Sequence, residues 1–133
     1  MNLDEHFRAI QQNIEVAAQA YREGTGSEPL FDRAMVEWIE RNCRSFASKT
    51  GAFAAEDRAH LYSVLGSAFA ECLRRASGGE WTFVDGEWVG IYVEKSDLTI
   101  NPWKKIAGAL DGEIGESPLG MLTWVESKTS GKA

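Results

Sequence analysis

Between Ala76 and Trp81 the spacing of apolar residues changes from helical to alternating, which limits the chain to a fold joining helices to a sheet. Before the switch, Leu61, Val64, Leu65, Ala68, Phe69, Cys72, Leu73 and Ala76 recur at intervals of one, three and four. A face this broad belongs in the centre of a domain. Ser77, Gly78 and Gly79 stop this helix, because glycine tolerates the left-handed conformation at a helix end. Gly66, Ala68 and Ala70 are small enough to let a neighbouring element approach closely.

After the switch, Trp81 to Val84 and Glu87 to Val93 read as two strands joined at Asp85-Gly86. Asp-Gly suits a two-residue turn with positive φ at both positions. That loop length pairs Val84 with Glu87, Phe83 with Trp88 and Trp81 with Gly90. Trp81, Phe83, Trp88 and Tyr92 then share one face, with the bare Gly90 beneath the Trp81 ring. Val84, Val89, Ile91 and Val93 take the other. Both faces are apolar, so one is expected on the helices and the other at least partly covered. Leu98 to Ile100 is a short third strand.

Two helices precede the central one. Leu3, Phe7, Ile10, Ile14, Ala17 and Tyr21 form the stripe of the first, ended by Gly24 and Gly26. The second is expected to start at Ser27-Glu28-Pro29, to bury Phe31, Met35, Trp38, Cys43 and Phe46, and to break at Thr50-Gly51. Beyond the sheet, Asn101 caps and Pro102 opens a fourth helix with Trp103, Ile106, Ala107 and Leu110 buried and Gly112 as its stop. Ser117-Pro118 repeats the start signal for a last helix carrying Leu119, Leu122 and Val125. The expected class is α+β: three N-terminal helices, a small antiparallel sheet, then two short C-terminal helices. Residues 1–127 form a single domain and 128–133 a flexible tail.

The chain has 133 residues, 44% hydrophobic and 26% charged, enough to bury a core without a disulfide or metal staple. Cys43 and Cys72 fall on apolar helical faces, where a free thiol acts as a small hydrophobe. No HxxxH, CxxC or ExxH pair seeds a metal site, and Gly78-Gly79 follows a helix rather than a strand, so no phosphate loop is formed. Neither a metal nor a cofactor is expected. No apolar run approaches the roughly 18 residues of a membrane span, and the polar, acidic start does not read as a signal peptide. A cytoplasmic protein follows. The net charge of −6 disfavours nucleic acid and anionic membranes and favours a basic protein as partner.

Candidate functional residues are few. His6 and His60 read as surface histidines. Glu71 lies at the edge of the central helix's apolar face, with Arg74 and Arg75 at i+3 and i+4. An ion pair with these arginines is its expected role; a partly buried carboxylate with a raised pKa in a pocket is the alternative. Trp81, Trp88, Trp103 and Trp124 supply four of the five tryptophans. They serve either the packing of a small sheet or an aromatic binding surface rimmed by Asp85, Glu87, Glu94 and Asp97.

The runs LGSAFAECL, GGEWTFVDGEWVGIYV and INPWKKIAGALDGE, between Leu65 and Glu113, resemble a family of bacterial domains of unknown function. There a helix with a Leu-Gly…Glu motif precedes Gly-x-Trp, a hairpin and a strand ending in Asn-Pro. Leu65, Gly66, Glu71, Gly79, Trp81, Asn101, Pro102 and Lys105 match, and Ala70 stands where the family has glycine. The resemblance implies a compact α+β domain of bacterial origin and no particular activity.

Three functional readings follow, and the first is preferred. A non-enzymatic interaction module, immunity- or adaptor-like, would bind a basic partner through acidic steering and tryptophan anchors. A small-molecule-binding domain or enzyme would gather Glu71, Tyr92 and Lys104 around a pocket between the central helix and the sheet. A homodimer would use the second sheet face or the first helix. The residues assigned to partner or ligand binding are Glu71, Trp81, Trp88, Tyr92, Trp103 and Lys104. No catalytic residue is assigned.

Overall fold

The computed structural model describes residues 2–49 and 55–129. Asn2 opens α1 (Leu3–Thr25), its Oδ1 accepting the Glu5 N–H at 2.9 Å. Ile10, Ile14, Ala17 and Tyr21 are buried along the expected stripe. Gly24 stays helical, and the helix closes at Gly26, whose φ of 71° is the left-handed conformation glycine adopts without strain.

The second helix, α2 (Arg33–Ser48), starts later than Pro29. Phe31 has φ 52° and cannot continue a right-handed helix. Arg75 holds that turn, its guanidinium 4.6 Å from the Phe31 ring centroid and its Nη1 donating to the Leu30 carbonyl at 3.4 Å. Asp32 then becomes the N-cap, accepting the Met35 N–H at 3.3 Å. The buried stripe is Met35, Val36, Ile39, Glu40 and Cys43, with Trp38 and Phe46 half-buried at its edges. Thr50 and Gly51, the expected break, lie outside the described residues.

The third helix, α3 (Ala55–Ser77), touches α1, α2, α4, α5 and β2, the central position its wide apolar face requires. It ends where expected: Gly78 has φ 70° and the Gly79 N–H donates to the Arg74 carbonyl at 3.2 Å, the six-residue closure of a Schellman motif.

Strands β1 (Glu80–Val84), β2 (Trp88–Val93) and β3 (Leu98–Ile100) form one antiparallel sheet in that order. The hairpin register is one residue away from the expected one: Val84 pairs with Trp88, Phe83 with Val89 and Trp81 with Ile91. Asp85 and Gly86 do adopt positive φ, and Glu87 N–H donates to the Val84 carbonyl at 2.9 Å. Glu87 is nevertheless left over as an unpaired extra residue. The slip turns β2 over relative to β1. Trp81, Phe83, Val89, Ile91 and Val93 now share the inner face with Leu98 and Ile100. Burying all of these on one side outweighs the preference for a two-residue turn. The outer face carries Glu80, Thr82, Val84, Trp88, Gly90, Tyr92 and Thr99, and remains exposed at Glu80, Tyr92 and Thr99. Gly90 sits beneath Trp88 rather than Trp81; a Cβ there would lie 2.6 Å from Trp88 Cζ3.

Pro102 opens α4 (Pro102–Leu110) and Pro118 opens α5 (Pro118–Thr129). The last helix runs through Lys128 and Thr129, two residues expected in the tail: Thr129 Oγ1 donates to the Val125 carbonyl at 2.7 Å, and Ser96 Oγ donates to the Lys128 carbonyl at 2.9 Å. Residues 130–133 lie outside the described residues. The main core draws buried side chains from all five helices and from β2 and β3. A second cluster of Ile10, Ile14 and Val89, with Trp81, Phe83 and Trp103 against it, binds α1 to the sheet. Among the described residues no helix is long and apolar enough to cross a membrane.

Candidate binding cleft

Four elements converge beside the hairpin turn. Protein interiors are close-packed and leave few voids larger than a water molecule. Here Gly66 of α3 lets the Trp103 indole of α4 lie against the helix backbone, and a Cβ on Gly66 would fall 2.2 Å from Trp103 Cδ1. Across from Trp103, Trp88 is drawn over Gly90 on β2. Between them opens a cleft of about 350 Å³. Its floor and walls come from His6, Ile10 and Asn13 of α1, Tyr62, Ser63 and Ser67 of α3, Glu87 and Val89 by the hairpin turn, and Asn101 before α4.

Several polar groups in this lining keep their hydrogen-bonding capacity. Ser67 is committed, its hydroxyl donating to the Ser63 carbonyl at 2.7 Å. By contrast the side chains of Asn13, Tyr62, Glu87 and Asn101 make no hydrogen bond among the described residues. Asn101 is the most telling. It occupies the N-cap position of α4 with φ −112° and ψ 93°, yet its side chain does not cap the helix as the sequence led us to expect. Replacing a capping Asn by Ala usually costs about 1 kcal/mol. Asn101→Ala is expected to change stability by less than about 0.5 kcal/mol, because no cap bond is lost. Thermal melts of the two proteins check this. His6, expected at the surface, is half-buried, its ring tilted on Phe83 with centroids 5.2 Å apart.

The residues singled out from the sequence divide. Trp88 and Trp103 are brought together in the cleft. Trp81 points into the core and meets Phe7 edge to face at 5.9 Å. Tyr92 is exposed on the outer face, its hydroxyl donating to Asp97 at 2.9 Å, a bond that raises its pKa above the ordinary phenol value. Lys104 is exposed on α4. Glu71 is buried and enclosed by arginines: Arg74 contacts both carboxylate oxygens at 2.9 and 2.8 Å and Arg75 adds a bond at 2.6 Å. Glu71, Tyr92 and Lys104 do not line the cleft, so the pocket expected around them is replaced by one built on the two tryptophans.

The raised pKa considered for Glu71 is also reversed. Burial pushes its carboxyl up, but the hydrogen bonds and charges of Arg74 and Arg75 together outweigh it and hold the pKa below the ordinary glutamate value. A depressed folded-state pKa contributes stability above the unfolded value of about 4.3 and loses it as pH falls through the folded value. Glu71→Gln is therefore expected to lower stability by about 1–2 kcal/mol at neutral pH. The difference from the native protein should shrink in acid below about pH 4. A parallel pair of stability–pH curves would contradict this.

The thiols take no part in such chemistry. Burial raises Cys43 to about 12, and burial also raises Cys72 far above the ordinary thiol value. Both remain protonated at neutral pH. Among the described residues no group of three or more His, Cys, Asp or Glu side chains is arranged to hold a metal ion.

The sequence signal for the cleft is faint. Glu87 was legible only as part of an acidic rim, and Asn13, Tyr62 and Ser63 lie at unremarkable helical positions. Comparisons with protein-family models, with curated proteins and with solved structures give no match.

Proposed function

We propose that this protein is a binding module for a basic partner protein, with the Trp88–Trp103 cleft and the adjoining hairpin as its working surface. The observation that carries the reading is the make-up of the cleft among the described residues: two half-buried tryptophans, four polar side chains without an internal partner, one of them the carboxylate of Glu87, and no lysine or arginine in the lining. Tryptophan supplies most of the energy at many interfaces, and a negative rim speeds encounter with a positive surface. The exposed carboxylates of Asp85 and Glu87 at the hairpin turn supply that rim, whereas Glu94 and Asp97, expected there from the sequence, follow the opposite end of β2. Binding rather than catalysis suits the side chains present, because the Ser67 hydroxyl is tied to its own helix and His6 rests on an aromatic ring.

The test is capture of a basic protein at low salt, followed by measurement on the purified pair. Trp88→Ala should weaken the complex at least thirtyfold, or about 2 kcal/mol. Raising the salt concentration from 50 to 500 mM should slow association steeply. An association rate independent of salt, or an affinity untouched by Trp88→Ala in a variant that melts normally, would overturn the reading.

A further inference from the structure

We infer that the cleft receives the ammonium end of a lysine side chain from the partner, which rests on the binding-module reading and names what that module grips. Among the described residues, the titratable groups in the lining are His6, Tyr62 and Glu87; Glu87 is the only carboxylate among them, and no lysine or arginine contributes. A ligand carboxylate or phosphate would therefore face a negative charge with no fixed cation to offset it. A cation meets the opposite situation. Tryptophan and tyrosine rings attract an ammonium over their faces, and the cleft brings together Trp88, Trp103 and Tyr62. An ammonium also has three N–H donors that need acceptors once water is removed. Glu87 and the side-chain oxygens of Asn13, Asn101 and Tyr62 are acceptors without a partner among the described residues. The volume, about 350 Å³, lies at the small end of ligand sites. It admits one long side chain with its flanking peptide and is small for a nucleotide cofactor. Asn101 strengthens the case: an asparagine at a helix start ordinarily spends its side chain on the cap, and here the side chain is left for the cleft.

The experiment titrates the purified protein with N-acetyl-lysine N-methylamide and follows the indole N–H resonances of Trp88 and Trp103. Saturable shifts of both signals are expected, in the millimolar range. The uncharged N-acetyl-norleucine N-methylamide, which keeps the alkyl chain and lacks the ammonium, should bind at least tenfold more weakly. Glu87 is exposed, so Glu87→Gln should melt like the native protein, and it should weaken lysine-amide binding by about tenfold. Equal binding of the norleucine compound, or no response of either indole to the lysine compound, overturns the inference. Tighter binding of free cadaverine than of the lysine amide overturns the partner lysine as the source. If the lysine compound fails while the basic partner still depends on Trp88, the ammonium assignment falls and the module reading stands. If no basic partner engages Trp88, the module reading falls whatever the amines do.

Discussion

Gly66→Val should lower the stability of the folded protein by about 3 kcal/mol, or roughly 10 °C in melting temperature, and should eliminate binding at the cleft. The glycine is required by space and not by backbone conformation. It lies within α3, where exchange for alanine would ordinarily gain about 1 kcal/mol of helix propensity. That gain is outweighed. A Cβ at this position meets Trp103 Cδ1 at 2.2 Å and Nε1 at 2.5 Å, so the indole must leave its place. Trp103 cannot move without disturbing the second core cluster of Ile10, Ile14 and Val89 on which it packs. Valine adds two further methyl groups to the same collision, so Gly66→Ala should fall between valine and the native protein. Because Trp103 is also a wall of the cleft, stability and binding should fail together. A double-mutant cycle separates this from generic strain: Trp103→Leu should cost less in the Gly66→Ala background than alone, by at least about 1 kcal/mol. Additive effects would show that the side chain is accommodated elsewhere.

Glu40→Leu is expected to cost a similar amount, about 3 kcal/mol, through the docking of α5. Glu40 is 5% exposed and belongs to the buried stripe of α2. Its Oε1 accepts both the Ser117 hydroxyl and the Leu119 N–H, while Oε2 pairs with Arg44 at 2.6 Å. Ser117 in turn accepts the Gly120 N–H at 3.0 Å, so two helix-start donors of α5 are satisfied by one relay that begins on α2. Leucine fills a comparable volume and offers no acceptor, leaving the Ser117 hydroxyl and the Leu119 N–H without their partner. The ion pair itself contributes little, because Arg44 is 72% exposed and its charge is screened. Glu40→Gln should therefore recover much of the loss, since its carbonyl oxygen can still accept the same two donors. Chemical denaturation of the three proteins decides the matter. If glutamine is as damaging as leucine, the charge and not the acceptor geometry is what α5 needs.

Both residues illustrate how far the sequence could be read. The small side chains of α3 already announced a close approach, and Gly66 is where it occurs, but nothing in the spacing named Trp103 as the element that approaches. Glu40 occupies a position between Ile39 and Cys43 on the buried side, a pattern that could have marked it as enclosed. Its partners lie 77 and 79 residues away, beyond any local rule. Glu71 was the easier case, because both arginines sit on the same helix within one turn.

What the chain determines by itself is set by interactions reaching no further than about four residues. These include the apolar stripes of α1 and α3, the glycine closures at Gly26 and Gly78, the proline starts at Pro102 and Pro118, and the positive-φ turn at Asp85 and Gly86. They suffice for the order of three helices, a three-stranded antiparallel sheet and two helices. The remainder is decided between elements. An alternating strand can present either of its faces, so the hairpin register was settled only when Trp81 and Phe83 of β1 were packed on the same side as Val89, Ile91 and Val93, which turned β2 over and left Glu87 unpaired. Phe31 was taken out of α2 by Arg75 of α3. The cleft has no sequence signature of its own because α1, α3, β2 and the start of α4 each supply part of it, and their side chains meet only after the core has packed.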